Sequence, residues 1–375
     1  MIDNRRFFSA QGSARWRGEA QGRAFGPLIH DHVAALEAAL RRSGLDDPRD
    51  HLRSLVAATH FDEAIRTHVP HLWDEMEGIA AGAGVECDVI YALQLMDEEW
   101  AYRKRLHAAA PGSKCSSFAI HEAPHGVTWI GQNMDLGAYT DGFQRLVLHV
   151  GDETRPSALV LTTAGNLALL GINDAGVGVC VNALPQLPSA DHGVPVAFLI
   201  RRLLEARTAA EAADWCRALP HATNQHYLIA DPNGVVSLEC SAIGVTEYRP
   251  PQPDRVLHTN HPLAGEGERY PAIEANSVAR LRSLEARLAR GRCDRLQAEA
   301  ALSAFDDPEH PVCRLRAGGL DFNSFTTGAM ISRLVDAPQP ILASVSFGPP
   351  SERGFQEVSL TRGEGTRDAM ANARP

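Results

Sequence analysis

Hydrophobic residues in the first hundred positions recur at helical spacing. Between Leu28 and Leu40 an apolar residue returns every three or four positions, and Ser43-Gly44 then supplies a stop signal. Similar patterns lie between Leu52 and Ile65 and between Asp88 and Tyr102. The N-terminal part of the chain is therefore predicted to be mostly helical.

A polar segment at residues 107–114, which contains Pro111-Gly112, separates this part from a segment with a different hydrophobic pattern. Short apolar runs between turn signals predict strands at Ser117–Ile120, Thr128–Gly131, Leu146–Val150, Ala158–Thr162, Leu167–Leu170 and Val177–Val181. Two helices, a hairpin, a long helix and two more strands are predicted to follow at Pro195–Ala206, Ala209–Ala218, Tyr227–Glu239, Ile273–Arg290, Ala329–Leu334 and Ile341–Phe347. Helices and strands in blocks predict an α+β fold.

Composition and charge exclude several classes of partner. The 375 residues carry 36 Lys and Arg against 46 Asp and Glu, and the net charge of −10 disfavours binding to nucleic acid or an anionic membrane. We see no signal peptide and no apolar run long enough to span a membrane. Seven scattered cysteines without a C-x-x-C pair argue against a disulfide framework or a thiolate zinc site. These observations predict a cytoplasmic protein without a metal or cofactor.

Two histidine patterns have a metal-binding interpretation. Residues 121–125 match H-E-x-x-H, which binds zinc when a helix places both histidines on one face. Pro124 would lie inside that helix and Gly126 follows it, so a hairpin turn is favoured. His258 and His261 could share a metal, but no third ligand stands at a telling distance, and a loop at the end of a strand is favoured.

The most informative cysteine is Cys115, which stands at the junction between the helical and the β-rich segments, just after the polar segment. Taken alone, a chemical role and a structural role are equally open for it. Asp135 lies 20 residues further on, at the end of the expected partner strand. A hairpin turning near residues 124–126 would bring both side chains together, as a nucleophile and its orienting carboxylate require.

The sequence also resembles a known family: the penicillin acyltransferase-type (acyl-CoA:6-aminopenicillanic acid acyltransferase) N-terminal nucleophile hydrolases, related to choloylglycine hydrolases and acid ceramidases. Five motifs in the family's order and a Gly-rich start at 18–26 carry the resemblance over about residues 15–362. The motifs are Cys115-Ser116-Ser117-Phe118, Gly131-Gln132-Asn133-Met134-Asp135, Gly171 through Leu184, His258-Thr259-Asn260-His261 and Gly348-Pro349-Pro350.

The resemblance implies a precursor that cuts itself between Lys114 and Cys115. Cys115 would then be both nucleophile and, through its new α-amino group, general base, because such a group titrates at about 7.7–8.0. Asp135 would hold and orient that amino group. Asn182 and Asn260 match the family's asparagines near the oxyanion and the α-amino group, although capping of strand ends is an alternative for both.

The resemblance also suggests candidate substrate-binding residues. Gln132 and Asn133 belong to the second motif, and Gln132 stands where bile salt hydrolases carry an arginine, which favours the penicillin-type branch. Arg280 matches a polar position of the family, although a solvated arginine on an amphipathic helix is equally open. The acidic residues of Asp97–Trp100 either line the pocket or form an exposed helix face, and the exposed face is favoured.

The resulting prediction is an α+β fold, specifically a four-layer αββα sandwich. Residues 1–114 would form a helical pro-segment that stays bound as the small subunit, and residues 115–375 would form the large subunit of the heterodimer. The expected activity is hydrolysis of a small-molecule, non-peptide amide through a thioester on Cys115. Open alternatives are an acyl-CoA-dependent N-acyltransferase, an unprocessed binding protein of the same fold, and assembly of the heterodimer into a higher homo-oligomer. Lys114 departs from the glycine of the penicillin enzyme, so cleavage could be slower.

Overall fold

Two β-sheets packed face to face form the centre of the protein. The computed structural model describes residues 3, 5–106, 114–264, 275–317 and 324–361. In order across the eight-stranded sheet lie Phe7–Ala10 (β1), Gln144–His149 (β4), Ala158–Thr163 (β5), Leu170–Asn173 (β6), Gly178–Ala183 (β7), Gln225–Asp231 (β8), Gly234–Ser241 (β9) and Gly244–Glu247 (β10). Across the six-stranded sheet lie Arg255–His258 (β11), Ser116–Glu122 (β2), Val127–Gly137 (β3), Ser324–Val335 (β12), Ile341–Ser346 (β13) and Gln356–Leu360 (β14). Neighbouring strands are antiparallel except β1 with β4.

Helices cover the outer face of each sheet. Residues Val196–Leu203 (α7) and Ala209–Ala218 (α8) pack on β7, β8 and β9, whereas Ala275–Leu288 (α9) and Arg295–Leu302 (α10) pack on β2, β3, β11 and β12. Strand β7 contacts β2 and β3 across the space between the sheets. This arrangement confirms the predicted four-layer αββα sandwich. A short helix, Pro350–Arg353 (α11), lies between β13 and β14.

In its described residues the N-terminal segment adds six helices beside α7. They are Ala14–Arg42 (α1), Pro48–Ala57 (α2), Phe61–His68 (α3), Pro70–Ala83 (α4), Cys87–Gln94 (α5) and Met96–Leu106 (α6). Their apolar residues, including Ile29 and Met76, belong to the same buried cluster as Leu146 and Val179 of the eight-stranded sheet. The helical segment and the β-rich segment therefore share one core. Within the described residues, no helix combines the length and apolar character needed to cross a membrane.

Helices α1 and α4 touch backbone to backbone through four glycines. A Cβ added at Gly18 or Gly22 would overlap the backbone of α4, and one added at Gly78 or Gly82 would overlap the backbone of α1. Only glycine allows helices to approach this closely. The Gly-rich start seen in the sequence is thus half of a helix-packing surface.

The structure differs from the predicted elements at several points. The pattern between Leu52 and Ile65 is two helices, because Thr59 donates to the carbonyl of Leu55 and the amide of His60 leaves the helix for the carbonyl of Asp191. The pattern at 88–102 is likewise divided into α5 and α6. The strand predicted at Leu167–Leu170 begins instead at Leu170, and several elements, β1 and α4 among them, lie outside the predicted ones.

Candidate active site

Cys115 lies directly before β2 and is 5% exposed. The predicted hairpin is confirmed, since β2 and β3 pair with Ser116 opposite Asn133, and the turn between them closes at Gly126 with φ of +57°. This register returns the end of β3 to the start of β2. The H-E-x-x-H segment is therefore strand and turn: His121 contacts Thr128, and His125 is exposed.

Asp135 on β3 is fully buried. Its Oδ1 accepts a hydrogen bond of 2.7 Å from the hydroxyl of Thr326, while its Oδ2 has no hydrogen-bond partner among the described residues. Burial raises the pKa of the carboxyl to about 6, and the positive charge of Arg280 opposes that rise. One carboxylate oxygen thus has unused capacity to bind a cation.

The thiol of Cys115 stays protonated at neutral pH in the intact chain. Burial raises its pKa to about 12, and the negative charge of Asp135 adds to the rise. Hydrogen bonds from the backbone of Asp135 and the side chain of Gln132 oppose the rise. A reaction at this sulfur therefore requires transfer of the thiol proton to another group.

Asn182 lies inside β7, so the strand-capping alternative is wrong for this residue. Its Oδ1 accepts from the hydroxyl of Ser117 at 2.6 Å and pairs with Nδ1 of His226 at 3.0 Å. Its Nδ2 is buried and has no acceptor among the described residues. Two donors on the oxygen fix the orientation of the amide and leave the Nδ2 hydrogens available for an anion.

Behind Asn182, two histidines stack with ring centroids 3.6 Å apart. His226 lies on β8, and its partner His258 bonds Glu239 through Nε2 at 2.9 Å and the carbonyl of Thr259 through Nδ1 at 2.8 Å. Burial, followed by the charge of His258, lowers the pKa of His226 well below its ordinary value. The sequence carried no local signal for His226 or Glu239, because strands distant along the chain bring them together. His258 itself ends a strand and belongs to this stack.

Arg280 is fully buried, so the solvated alternative is wrong. Its Nη1 donates to the carbonyl of Cys115 at 2.5 Å and to Ser116 Oγ at 2.9 Å, and its Nη2 donates to Asn260 Oδ1 at 2.9 Å. Its Nε donates to Asn276. The guanidinium fixes the backbone that carries the thiol and balances the charge of the buried carboxylate.

Asn260, in the loop after β11, joins the two sheets. Its Nδ2 donates to the carbonyl of Ala183 at the end of β7 at 2.9 Å, and its backbone amide donates to Ser277 Oγ at 2.8 Å. His261 also bonds Ser277. Asn260 thus contacts the site through Arg280. His261 lies in the loop after β11, which agrees with the favoured interpretation of a loop at the end of a strand.

Gln132 and Asn133 point to opposite faces of β3. The side chain of Gln132 forms two hydrogen bonds with the backbone of Val181, of 2.5 and 2.8 Å, and therefore lies between the sheets. Asn133 donates instead to the carbonyls of Leu302 and Val312. The structure brings Gln132 to the thiol and places Asn133 on the helix side of the sheet.

Comparison with known proteins identifies the family. The family described as acyl-coenzyme A:6-aminopenicillanic acid acyl-transferase matches residues 122–327, more than half of the chain. The chain belongs to this family. The expected family is thereby confirmed, and three of the five motifs, Gly131 to Asp135, Gly171 to Leu184 and His258 to His261, lie within the matched range.

Three other known proteins are similar to this chain. The 40 kDa form of acyl-coenzyme A:6-aminopenicillanic-acid-acyltransferase from Emericella nidulans is 28% identical over 209 residues, which are 55% of this chain and 56% of that relative, so just over half of the relative's length is matched. An N-acylethanolamine-hydrolyzing acid amidase ortholog from Caenorhabditis elegans is 18% identical with a TM-score of 0.42, covering 58% of this chain and 92% of that chain. A variant of conjugated bile acid hydrolase from Clostridium perfringens is 12% identical with a TM-score of 0.44, and the match covers 66% of this chain and 97% of that chain.

This member of the acyl-transferase family also has acidic residues at the start of α6, one of which acts on the thiol. Glu98 is buried and accepts from the backbone of Val196, and burial raises its pKa to about 8. Asp97 is half-buried with a pKa raised to about 6, and its charge acts on Cys115. Glu99 is buried against His51. The favoured interpretation of these acids as an exposed helix face is therefore wrong.

Proposed function

We propose that the chain is a precursor that cuts its own Lys114–Cys115 bond and then uses Cys115 as the nucleophile of an amidohydrolase or acyltransferase. One observation carries the proposal. The buried thiol of Cys115 feels the charge of Asp135, whose Oδ2 has no hydrogen-bond partner among the described residues, and Ser117, two residues further on, bonds Asn182, whose buried Nδ2 also has no partner there. Unsatisfied buried polar atoms are unfavourable, and here they match the charges that the reaction develops.

In the proposed self-cleavage, the sulfur of Cys115 attacks the carbonyl carbon of Lys114. The C–S bond forms, the peptide C–N bond breaks, and the thiol proton passes to the departing nitrogen. Water then hydrolyses the thioester, which releases the carboxylate of Lys114 and regenerates the thiol. The products are the fragments 1–114 and 115–375, and the shared core of the two segments supports their remaining together as a heterodimer.

In the proposed turnover, the new α-amino group takes the proton of the Cys115 thiol. An ordinary α-amino group titrates at about 7.7–8.0, so it can serve as a base near neutral pH. The thiolate attacks the amide carbon of a small non-peptide substrate, and Asn182 Nδ2 donates to the oxygen that becomes negative. The ammonium returns its proton to the leaving amine, which leaves an acyl thioester on Cys115.

Asp135, Arg280 and Asn260 position the new terminus in this mechanism. The free oxygen of Asp135 accepts from the ammonium, whose positive charge satisfies the buried carboxylate. Arg280 holds the carbonyl of Cys115, so that the amino group and the sulfur keep one orientation. Asn260 anchors the guanidinium and acts on the reaction through it. Gln132 is proposed to contact the substrate, with Asn133 supporting the strand.

The acyl group of the thioester has two proposed fates. Water gives hydrolysis, which needs no acceptor site, whereas a second amine gives transfer through the same intermediate. The name of the Emericella nidulans relative favours testing transfer, including acyl-CoA as donor. All seven cysteines are free of disulfides, which supports a reducing cytoplasm as the proposed location.

The deciding experiment is intact mass spectrometry of the purified protein with N-terminal sequencing. We expect two co-purifying fragments, one ending at Lys114 and one starting at Cys115, and an intact Cys115→Ala variant. Cys293→Ser is the matched control, because Cys293 is also buried but lies against Glu122, away from the site. A stable wild-type chain of 40.6 kDa would favour the unprocessed binding protein, and cleavage of Cys115→Ala at the same bond would refute self-cleavage by this thiol.

A second experiment separates the two fates of the thioester. The processed protein is incubated with N-acyl amines, β-alanyl amides and lactams, with and without a second amine or acyl-CoA. Release of free acid alone indicates hydrolysis, and a new amide indicates transfer. Cys115→Ala provides the blank in every reaction.

A further inference from the structure

We propose that Cys216, His221 and Cys240 form a Zn²⁺ site that is separate from the active site and independent of the proposed function. The three residues come from α8, the loop after it and β9. Their ligand atoms all lie within 4.8 Å of one another, and all three side chains are buried. Thiolate and imidazole are the ligands of structural zinc.

The distance between the two sulfur atoms fits zinc. Cys216 Sγ and Cys240 Sγ are 3.7 Å apart. Two Zn–S bonds of about 2.3 Å at a tetrahedral angle place the sulfurs about 3.8 Å apart. A disulfide requires about 2.05 Å and would have to draw helix and strand together. The backbone thus holds the pair at the spacing of two ligands of one ion.

His221, the third residue of the cluster, has one ring nitrogen with a free lone pair. Its Nε2 lies 2.9 Å from the carbonyl of Cys216, and a carbonyl can only accept, so Nε2 carries the hydrogen. Nδ1 is then the unprotonated nitrogen, and it is buried without a partner among the described residues. Metal-binding histidines commonly donate their other ring N–H to a backbone carbonyl in this way.

Charge balance favours a divalent ion. When Zn²⁺ binds, two S–H bonds break, two Zn–S bonds form, and two protons leave to solvent. Two thiolates and Zn²⁺ sum to zero charge with a neutral His221, which suits a buried site. A fourth ligand from outside the chain, such as water, would complete the coordination.

The site lies on the opposite face of the eight-stranded sheet from Cys115. Glu239 bonds His258 of the six-stranded sheet, and its neighbour Cys240 points to the other face, where Cys216 of α8 meets it. Zinc would therefore link α8 to β9 of the eight-stranded sheet. The spacings of 5 and 19 residues between the ligands resemble no short zinc motif, which is why the sequence suggested none.

The test measures metal in the full chain, produced with zinc in the growth medium and dialysed free of loose metal. We expect about one zinc per chain and two sulfur neighbours at about 2.3 Å by X-ray absorption. Cys216→Ser and His221→Gln should each lower the zinc content about tenfold or more, whereas the buried-cysteine control Cys293→Ser retains it.

A second measurement needs no variant, so it stands even if those substitutions prevent folding. Wild-type chain refolded with Co²⁺ should show a thiolate-to-cobalt charge-transfer band, which zinc abolishes. Absence of both zinc and this band would overturn the proposal. Zinc that persists in folded Cys216→Ser, or a disulfide joining Cys216 to Cys240 in the native protein, would overturn it as well. None of these readings depends on cleavage at Cys115.

Discussion

Replacement of Arg280 by methionine tests the buried charge network most directly. Methionine keeps much of the length of the side chain and removes the guanidinium. The hydrogen bonds to the carbonyl of Cys115 and to Ser116, Asn260 and Asn276 are lost together. The carboxyl of Asp135 also loses the largest of the influences that hold its pKa down.

The expected loss of stability is about 4 kcal/mol. A hydrogen bond to a charged group contributes about 1.5–3 kcal/mol, so four bonds set an upper bound near 6–12 kcal/mol. These bonds share one side chain and are not additive, and removing one partner of a buried ion pair typically destabilises by about 3–5 kcal/mol. Protonation of Asp135 would relieve part of the uncompensated charge, which places the estimate inside that range.

The assay is urea unfolding of the uncleaved precursor in a Cys115→Ala background, which keeps the backbone carbonyl that Arg280 binds. Arg282→Met is the matched control, because Arg282 is exposed on the same helix two residues further on. We expect a change within about 0.5 kcal/mol for the control. A loss below about 1 kcal/mol for Arg280→Met would refute the conclusion that this arginine supports the site.

Three further predictions concern the carboxylate, the amide and the helix contact. The folded pKa of Asp135 exceeds its unfolded value, so the Cys115→Ala precursor should lose about 2–3 kcal/mol relative to its Asp135→Asn derivative as pH rises from about 4 to about 6. Ser117→Ala should lower kcat about tenfold with little change in KM, because Asn182 loses one of the two donors that orient it. Gly78→Ala should destabilise the protein by about 1–3 kcal/mol, because its Cβ overlaps the backbone of α1.

Each of these three predictions has its own measurement. Differential unfolding in urea across the pH range measures the first, and a parallel pH dependence of both proteins would contradict it. Steady-state kinetics measures the second, and Asn182→Ala should lower kcat by about 10²–10³; a Ser117→Ala variant with a raised KM alone would contradict the assignment. For the third, a Cβ at Gly26 meets only atoms 3.8 Å away or more, so Gly26→Ala should not destabilise the protein.

The hairpin that joins Cys115 to Asp135 was predictable because its signals are local. Two short apolar runs predict the strands, and Pro124 and Gly126 between them predict the turn. Antiparallel pairing then brings the start of β2 and the end of β3 together. Arg280 was harder to interpret. On its helix the apolar Val278 and Leu281 are only partly buried, whereas the buried face runs through Ser277, Arg280, Leu284 and Leu288. Ser277 and Arg280, three residues apart on the buried face, were the signal of a polar site on this helix.

Other features depend on contacts that no local pattern encodes. Helix α4 contains glycines at 78 and 82, which disfavour a helix in isolation, and only the packing of α1 explains them. His226 and Glu239 alternate with apolar neighbours in an ordinary hairpin, and their partners come from β7 and β11. Local propensity cannot reveal a site assembled across two sheets.

Strand β1 has a consequence for how the two proposed fragments depend on each other. Its four residues run parallel to β4 and cover an edge of the eight-stranded sheet, which is otherwise built entirely from the chain after Cys115. The smaller fragment would then act as a strand donor to the larger one, as well as a helical cover. Without that donated strand, β4 would present open backbone groups on which another molecule could pair. The smaller fragment would thus protect the larger one against aggregation at this edge of the sheet.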